Sequence, residues 1–145
     1  KAKKYMTEMT VVKDALTAAP YAHAMHDATE GGLLNGIAEV AIASKIGVTV
    51  YEDKIVTPEE IDAVCKHFAI DPLISISEGT LVIASAPDKA PRMISELKKN
   101  GIAAFDIGEF TAKERVFVSK NGTKEELKPV KVDPFWAAYF STLQG

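Results

Sequence analysis

The sequence predicts an α+β domain: a layered α/β/α arrangement in which helices cover a mixed sheet. Segments with helical spacing of apolar residues alternate with short β-branched runs along the chain. Hairpin signals, above all Asn121-Gly122, sit among them, so the strands are not all parallel. The 145 residues show no repeat, low-complexity tract or long linker, so one domain, residues 1–145, is expected.

The first helix is expected over residues 5–18. Met6, Met9, Val11, Val12, Ala15 and Leu16 fall at amphipathic spacing, and Pro20 ends the run. Residues 21–26 read as a strand. A glycine turn follows, then a helix over about 31–45, with Leu34, Ile37, Ala38, Ala41 and Ile42 on one face and Gly47 as its stop. Asn35 and Glu39 mark its narrow polar side. Val48 to Tyr51 is a strand by alternation. Thr57-Pro58-Glu59-Glu60 reads as a capping box with proline at the first helical position. Ile61, Val64, Cys65 and Phe68 then form the buried stripe of a third helix, which makes Cys65 a core thiol.

Leu73–Ile76 and Thr80–Ala84 read as two short strands. A helix follows from Pro87-Asp88 to Asn100-Gly101, with Ala90, Met93, Ile94 and Leu97 inward. Strands are expected over Ile102–Phe110, with Gly108 as a bulge, and over Arg115–Ser119, followed by a short return strand. Asp133-Pro134 starts a last helix as N-cap and first residue. That helix carries Phe135, Trp136, Tyr139, Phe140 and Leu143. It reads either as a helix packed on the sheet or as a docking surface.

Composition excludes several classes. Net charge is −3 and no basic stripe runs along the chain, which argues against nucleic acid; the Lys1–Lys4 cluster is short. No apolar run reaches the roughly 18–20 residues of a membrane span, and no signal peptide is present in the sequence, so a cytoplasmic location is expected. The lone Cys65 excludes an internal disulfide and a multi-cysteine metal site. Three scattered histidines make no metal site either, and no metal ligands are expected.

One stretch gathers polar groups, paired glycines and a helix start: His26-Asp27-Ala28-Thr29-Glu30-Gly31-Gly32-Leu33. A helix N-terminus offers unpaired amides and the positive end of a dipole, and glycines let an anion approach them. Gly31 and Gly32 could cradle a phosphate or carboxylate. Thr29 could add a hydroxyl or cap the helix, and Glu30 would repel an anion. The pattern is neither a Walker A loop nor G-x-G-x-x-G. From spacing alone, a structural turn and a ligand loop both remain open.

The segment Met25 to Leu33 resembles the D-P-T-x-G-G-L segment of the AIR synthase-related superfamily, and within it the hydrogenase expression/formation branch, HypE. Asp71-Pro72-Leu73 with Ser77-Glu78-Gly79-Thr80-Leu81, and Ile107-Gly108-Glu109, resemble further segments in the right order. The likeness covers about residues 8–145. Ala28 stands where the family has proline.

The resemblance implies the C-terminal half of a longer protein, with partial ferredoxin-like topology. An N-terminal ATP- and Mg2+-binding domain, absent from this chain, would be its partner; no cofactor is expected in this part alone. It also implies ATP-dependent activation of a carbonyl or carboxamide oxygen, a homodimer in the full protein and a maturation partner protein. In the HypE branch a carbamoylated terminal cysteine is dehydrated to a thiocyanate. This sequence closes on Leu143-Gln144-Gly145, so another substrate is expected.

On this reading Asp27 and Glu78 are catalytic, positioning or deprotonating a substrate amide. His26, Thr29, Glu30, Gly31, Gly32 and Gly79 bind the substrate or its anionic group. Two other readings stand beside it. One is an AIR synthase, thiamine-monophosphate kinase or selenophosphate synthetase-like branch. The other is a non-catalytic docking module built on the last helix.

Overall fold

The computed structural model describes residues 9–143. The Lys1–Lys4 cluster and Met6 lie outside them. Helices and strands run α1 (Val12–Ala18), β1 (Ala22–Ala28), α2 (Gly32–Ala43), β2 (Gly47–Tyr51), α3 (Glu59–His67) and β3 (Thr80–Ser85). Then come α4 (Ala90–Lys99), β4 (Gly108–Thr111), β5 (Arg115–Val118), β6 (Lys124–Glu126) and α5 (Pro134–Thr142).

The strands form two sheets. β1 and β3 pair antiparallel as a two-stranded ribbon. The second sheet has order β4-β2-β5-β6, with β2 antiparallel to β4 and parallel to β5. The mixed-sheet expectation therefore holds, with the strands divided between two sheets.

Alternation along β3 explains the layers. Val82 joins Ala28, Leu34, Ile37, Ala38 and Ala41 in the larger core. Its neighbour Ile83 packs on the other face against Ala18, Met93 and Leu97. Successive strand residues point to opposite faces, so the ribbon has α2 on one side and α1 with α4 on the other. The second sheet closes the far side of α2 with Val48, Val50, Phe110 and Phe117. Helix α2 is thus covered on most of its circumference, which accounts for its apolar sequence.

Several local expectations are corrected. Helix α1 begins only at Val12, where the Thr10 hydroxyl accepts the Val12 amide at 3.4 Å. Met9, Val12 and Leu16 are exposed, and only Ala18 of this helix is buried. Helix α2 ends through Lys45 in the left-handed conformation, and Ile46 N–H returns to Ala41 O at 3.0 Å. Gly47 serves close packing instead: a Cβ there would lie 2.3 Å from the Glu114 carbonyl oxygen. Ile42, assigned to the buried face, is exposed.

Pro58 occupies the N-cap position of α3 and the helix starts at Glu59, one residue later than the reading of Thr57 as cap and Pro58 as first residue. Ile61, Val64 and Phe68 are exposed, leaving Cys65 as the buried residue of this helix. The expected strand 73–76 is a loop: Leu73 O accepts Leu34 N–H of α2 at 3.0 Å, while the Leu73 and Ile74 amides turn back to Asp71. The 102–110 strand shrinks to β4, and Gly108 pairs with Val50 in regular register rather than forming a bulge. The return strand after Asn121-Gly122 is β6, reached through residues 119–123 rather than a two-residue turn.

Burial raises the Cys65 thiol pKa, and the nearby carboxylates of Asp62 and Asp71 raise it further. A raised pKa means less thiolate at a given pH. Iodoacetamide at pH 8 is expected to label Cys65 more slowly in the native chain than in denaturant; equal rates would contradict the core-thiol assignment.

Candidate functional site

Strand β1 delivers His26 and Asp27 to the glycine turn. Gly31 (φ 79°) and Gly32 (φ 69°) are both left-handed, which swings the chain from strand into α2. Gly32 has a second constraint. A Cβ there would meet the carbonyl oxygens of Leu73 and Ser75 at 2.7 Å. Only glycine satisfies both the angle and the space.

The amides of this turn do not lie open, which corrects the expectation of an anion cradle. Gly31 and Gly32 are buried. Gly31 N–H donates to Asp133 Oδ2 at 2.7 Å. Gly32 N–H donates to Thr29 O at 3.1 Å, and Leu34 N–H donates to Leu73 O at 3.0 Å. The helix start therefore already holds a carboxylate, supplied by the chain itself from 102 residues away. Asp133 is 5% exposed. Its other oxygen accepts Phe135 N–H at 2.8 Å and the Ser75 hydroxyl at 3.2 Å.

A cleft of about 430 Å³ opens beside the turn. Thr29, Glu30, Gly31, Asn35 and Glu39 form one side, and residues 130–133 with Trp136 form the other. Its charged lining is Glu30, Glu39 and Asp133 against Lys131. Glu39 Oε2 lies 2.7 Å from His26 Nε2, and Glu39 Oε1 accepts from Asn35 Nδ2 at 3.0 Å. Glu39, on the cleft wall, thus links the cleft to an imidazole that lies outside the lining, a histidine–carboxylate pair suited to accepting or relaying a proton.

The structure brings Thr29, Glu30 and Gly31 into the cleft wall, with His26 attached through Glu39. It does not bring Asp27, Gly32, Glu78 or Gly79 into the lining. Asp27 and Glu78 are exposed at one end of the β1–β3 ribbon, where Ala28 pairs with Thr80. Sequence reasoning gave Asn35 and Glu39 no site role. Their signal was available, as two polar residues four apart on an apolar helix. Asp133 was legible as the cap of α5 but carried no local sign of its bond to Gly31.

The family model for the AIR synthase related protein, C-terminal domain, matches residues 2–121. The chain belongs to this family. A carbamoyl dehydratase HypE of Azotobacter vinelandii is 32% identical over 110 residues, 74% of this chain and 32% of that protein. The crystal structure of E. coli HypE, a hydrogenase maturation protein, superposes with a TM-score of 0.75 and 27% identity, covering 86% of this chain and 41% of that one.

Two further HypE structures share the fold at 24% identity. One, in complex with ATP, has a TM-score of 0.72 and covers 86% of this chain and 40% of that one. The other, a HypE–HypF complex, has a TM-score of 0.70 and covers 83% and 40%. The chain thus spans about a third of the length of its A. vinelandii relative. Asp133 and the last helix lie beyond the part that the AIR synthase related family model matches.

Two stability outcomes follow from the turn. Gly32→Ala is expected to lose about 2–5 kcal/mol from left-handed strain plus overlap with backbone, read from the urea midpoint. Asp133→Ala strands the Gly31 and Phe135 amides and the Ser75 hydroxyl, and is expected to cost about 2–3 kcal/mol. Asp133→Asn keeps an acceptor oxygen and should cost less. Equal midpoints for wild type and Asp133→Ala would remove Asp133 as the pin of the turn.

Proposed function

We propose that this chain is the substrate-facing C-terminal half of a HypE-like, ATP-dependent enzyme acting on a carbonyl or carboxamide oxygen. The observation that carries the reading is the His26–Glu39 pair, 2.7 Å apart at the cleft beside the family's glycine turn. Removing the oxygen of a carboxamide requires its N–H protons to be accepted. A carboxylate backed by an imidazole at a cleft mouth supplies such an acceptor. The similarity to a carbamoyl dehydratase supports the same reaction class.

ATP with Mg2+, when bound, would supply the activation of the oxygen. Its fit to this chain alone is poor. Among the described residues no three His, Cys, Asp or Glu side chains converge on a metal position, and the Gly31 amide already holds Asp133. We therefore assign nucleotide and metal to the remainder of a longer protein, an N-terminal half that would pack against this domain and dimerise. A maturation partner, as in the HypE–HypF complex, belongs to the same proposal. The described residues contain no helix long and apolar enough to cross a membrane. A cytoplasmic site of action fits such a maturation role.

Asp27 and Glu78 keep a proposed part in this reaction although they lie outside the cleft lining: exposed near the end of the β1–β3 ribbon, they would position a substrate amide that extends to that end. A second reading, a docking module, draws on α5. None of its residues is buried, and Trp136, Tyr139, Phe140 and Leu143 are exposed.

The test is ADP release by the full-length protein across a panel of carboxamide, carbonyl and phosphate-acceptor substrates. Glu39→Gln is expected to lower turnover by about 100-fold or more, the range of a lost general base. Wild-type turnover in Glu39→Gln would sink the proton-acceptor role. Asp27→Asn and Glu78→Gln are expected to reduce turnover as well, and full activity in either removes that residue from the mechanism. Turnover only with phosphate acceptors would select another branch; none at all, with complex formation retained, would select the docking module.

A further inference from the structure

We propose that Asn35 is a positioning residue: it holds Glu39 against His26 and couples that pair to the C-terminal segment through Val130. This rests on the reading of His26 and Glu39 as the proton-handling pair of the cleft.

Asn35 is 8% exposed on α2, and its side-chain amide has three partners. Oδ1 accepts Val130 N–H at 3.0 Å. Nδ2 donates to Glu30 O at 3.2 Å and to Glu39 Oε1 at 3.0 Å. A backbone N–H only donates, so the contact with Val130 fixes which end of the amide is oxygen. Both Nδ2 protons then face acceptors, and neither is free to turn away.

The direction of every later bond follows. Ionised Glu39 accepts only, so it takes one proton from Asn35 on Oε1 and one from His26 Nε2 on Oε2. His26 is thereby held with its proton on Nε2. A Cβ at Gly36 would meet His26 Cδ2 at 3.7 Å, so the Cδ2–Nε2 edge of the ring faces α2. Nδ1 lies on the opposite edge of the ring.

Glu39 and His26 are 52% and 36% exposed, so their pairing alone is weak. A long side chain at that exposure samples several rotamers unless a second bond selects one. Asn35 supplies the second bond from a buried, fully partnered amide. The chain Val130–Asn35–Glu39–His26 thus runs from the C-terminal segment to β1.

The test uses the 145-residue chain and solvent exchange of side-chain N–H protons by 15N NMR, with His26→Gln to assign the ring signal against His23 and His67. Glu39→Ala, at an exposed helix position, sets the uncoupled state. It should speed exchange of one Asn35 Nδ2 proton and remove the protected His26 signal. Asn35→Asp keeps an acceptor for Val130 N–H but turns the donor facing Glu39 into a second carboxylate oxygen. It is expected to speed His26 ring-proton exchange by about fivefold, the value of one ordinary hydrogen bond, while Val130 N–H stays protected. Val130→Pro removes the orienting N–H without altering the pair and should give the same acceleration.

Wild-type His26 exchange in Asn35→Asp or Val130→Pro overturns the proposal. So does an Asn35 side-chain amide that ignores Glu39→Ala, a readout that stands even where the other variants do not fold. These readouts need no turnover. A coupled pair in a protein with no activity would therefore fail the functional reading and leave the positioning intact.

Discussion

A buried carboxylate with no cation beside it must be held by neutral donors. Asp133 meets that condition with Gly31 N–H, Phe135 N–H and the Ser75 hydroxyl, and no described Lys, Arg or His pairs with it. Each donor belongs to a different piece of the chain. Gly31 is the turn before α2, Ser75 belongs to the loop that packs on Gly32, and Phe135 begins α5. One side chain therefore fixes the turn, the loop and the last helix relative to one another. The C-terminal segment, although it follows the stretch shared across the family, is built into the fold by this contact and by Leu127, 4% exposed in the main core.

That arrangement decides what the cleft can do. Unfilled amides at a helix start attract anions. Once a carboxylate sits on them, a second anion meets Asp133, Glu30 and Glu39 against Lys131. The Gly31 amide is therefore not open to an external anion. The paired glycines make the turn, and the hydrogen-bonded polar residues of the cleft wall, Asn35 and Glu39, lie one and two helical turns further on. Of the two readings of the motif left open by spacing, the structural turn is what the hydrogen bonds of Gly31 and Gly32 describe, and a cleft opens beside it.

What could be read in the sequence was local periodicity and local capping. Strand β2, helices α2 and α4, the β5–β6 hairpin and the Asp133–Pro134 start of α5 all follow from residues within a few positions of each other. The errors have two physical sources. Leu73–Ile76 has strand composition, but Leu73 O is drawn to the α2 start, a tertiary demand that propensity does not contain. The apolar positions of α1 and α3, by contrast, were assigned inward because apolar residues at helical spacing normally face a core. In this chain Leu16 and Val12 are 72% and 62% exposed. The site divides in the same way. His26, Thr29, Glu30 and Gly31 belong to one contiguous motif, whereas Asp133 reaches that motif only through folding, and no spacing rule connects positions 31 and 133.

The exposed apolar positions bear on the two functional readings together. Helix α5 is apolar nearly all round, and such a helix is stable in water when something covers it. Trp136 belongs both to that helix and to the cleft wall. Anything that covers the Trp136 face of α5 therefore also meets the rim of the cleft that holds Glu39. An enzyme half and a docking surface are then not rival descriptions of separate regions. Trp136 lies on both surfaces, and the bonds of Asp133 to Phe135 N–H and Gly31 N–H tie the start of its helix to the glycine turn. A surface that closes over α5 would lower the local dielectric around the His26–Glu39 pair, and a hydrogen-bonded pair gains strength when water is excluded from it.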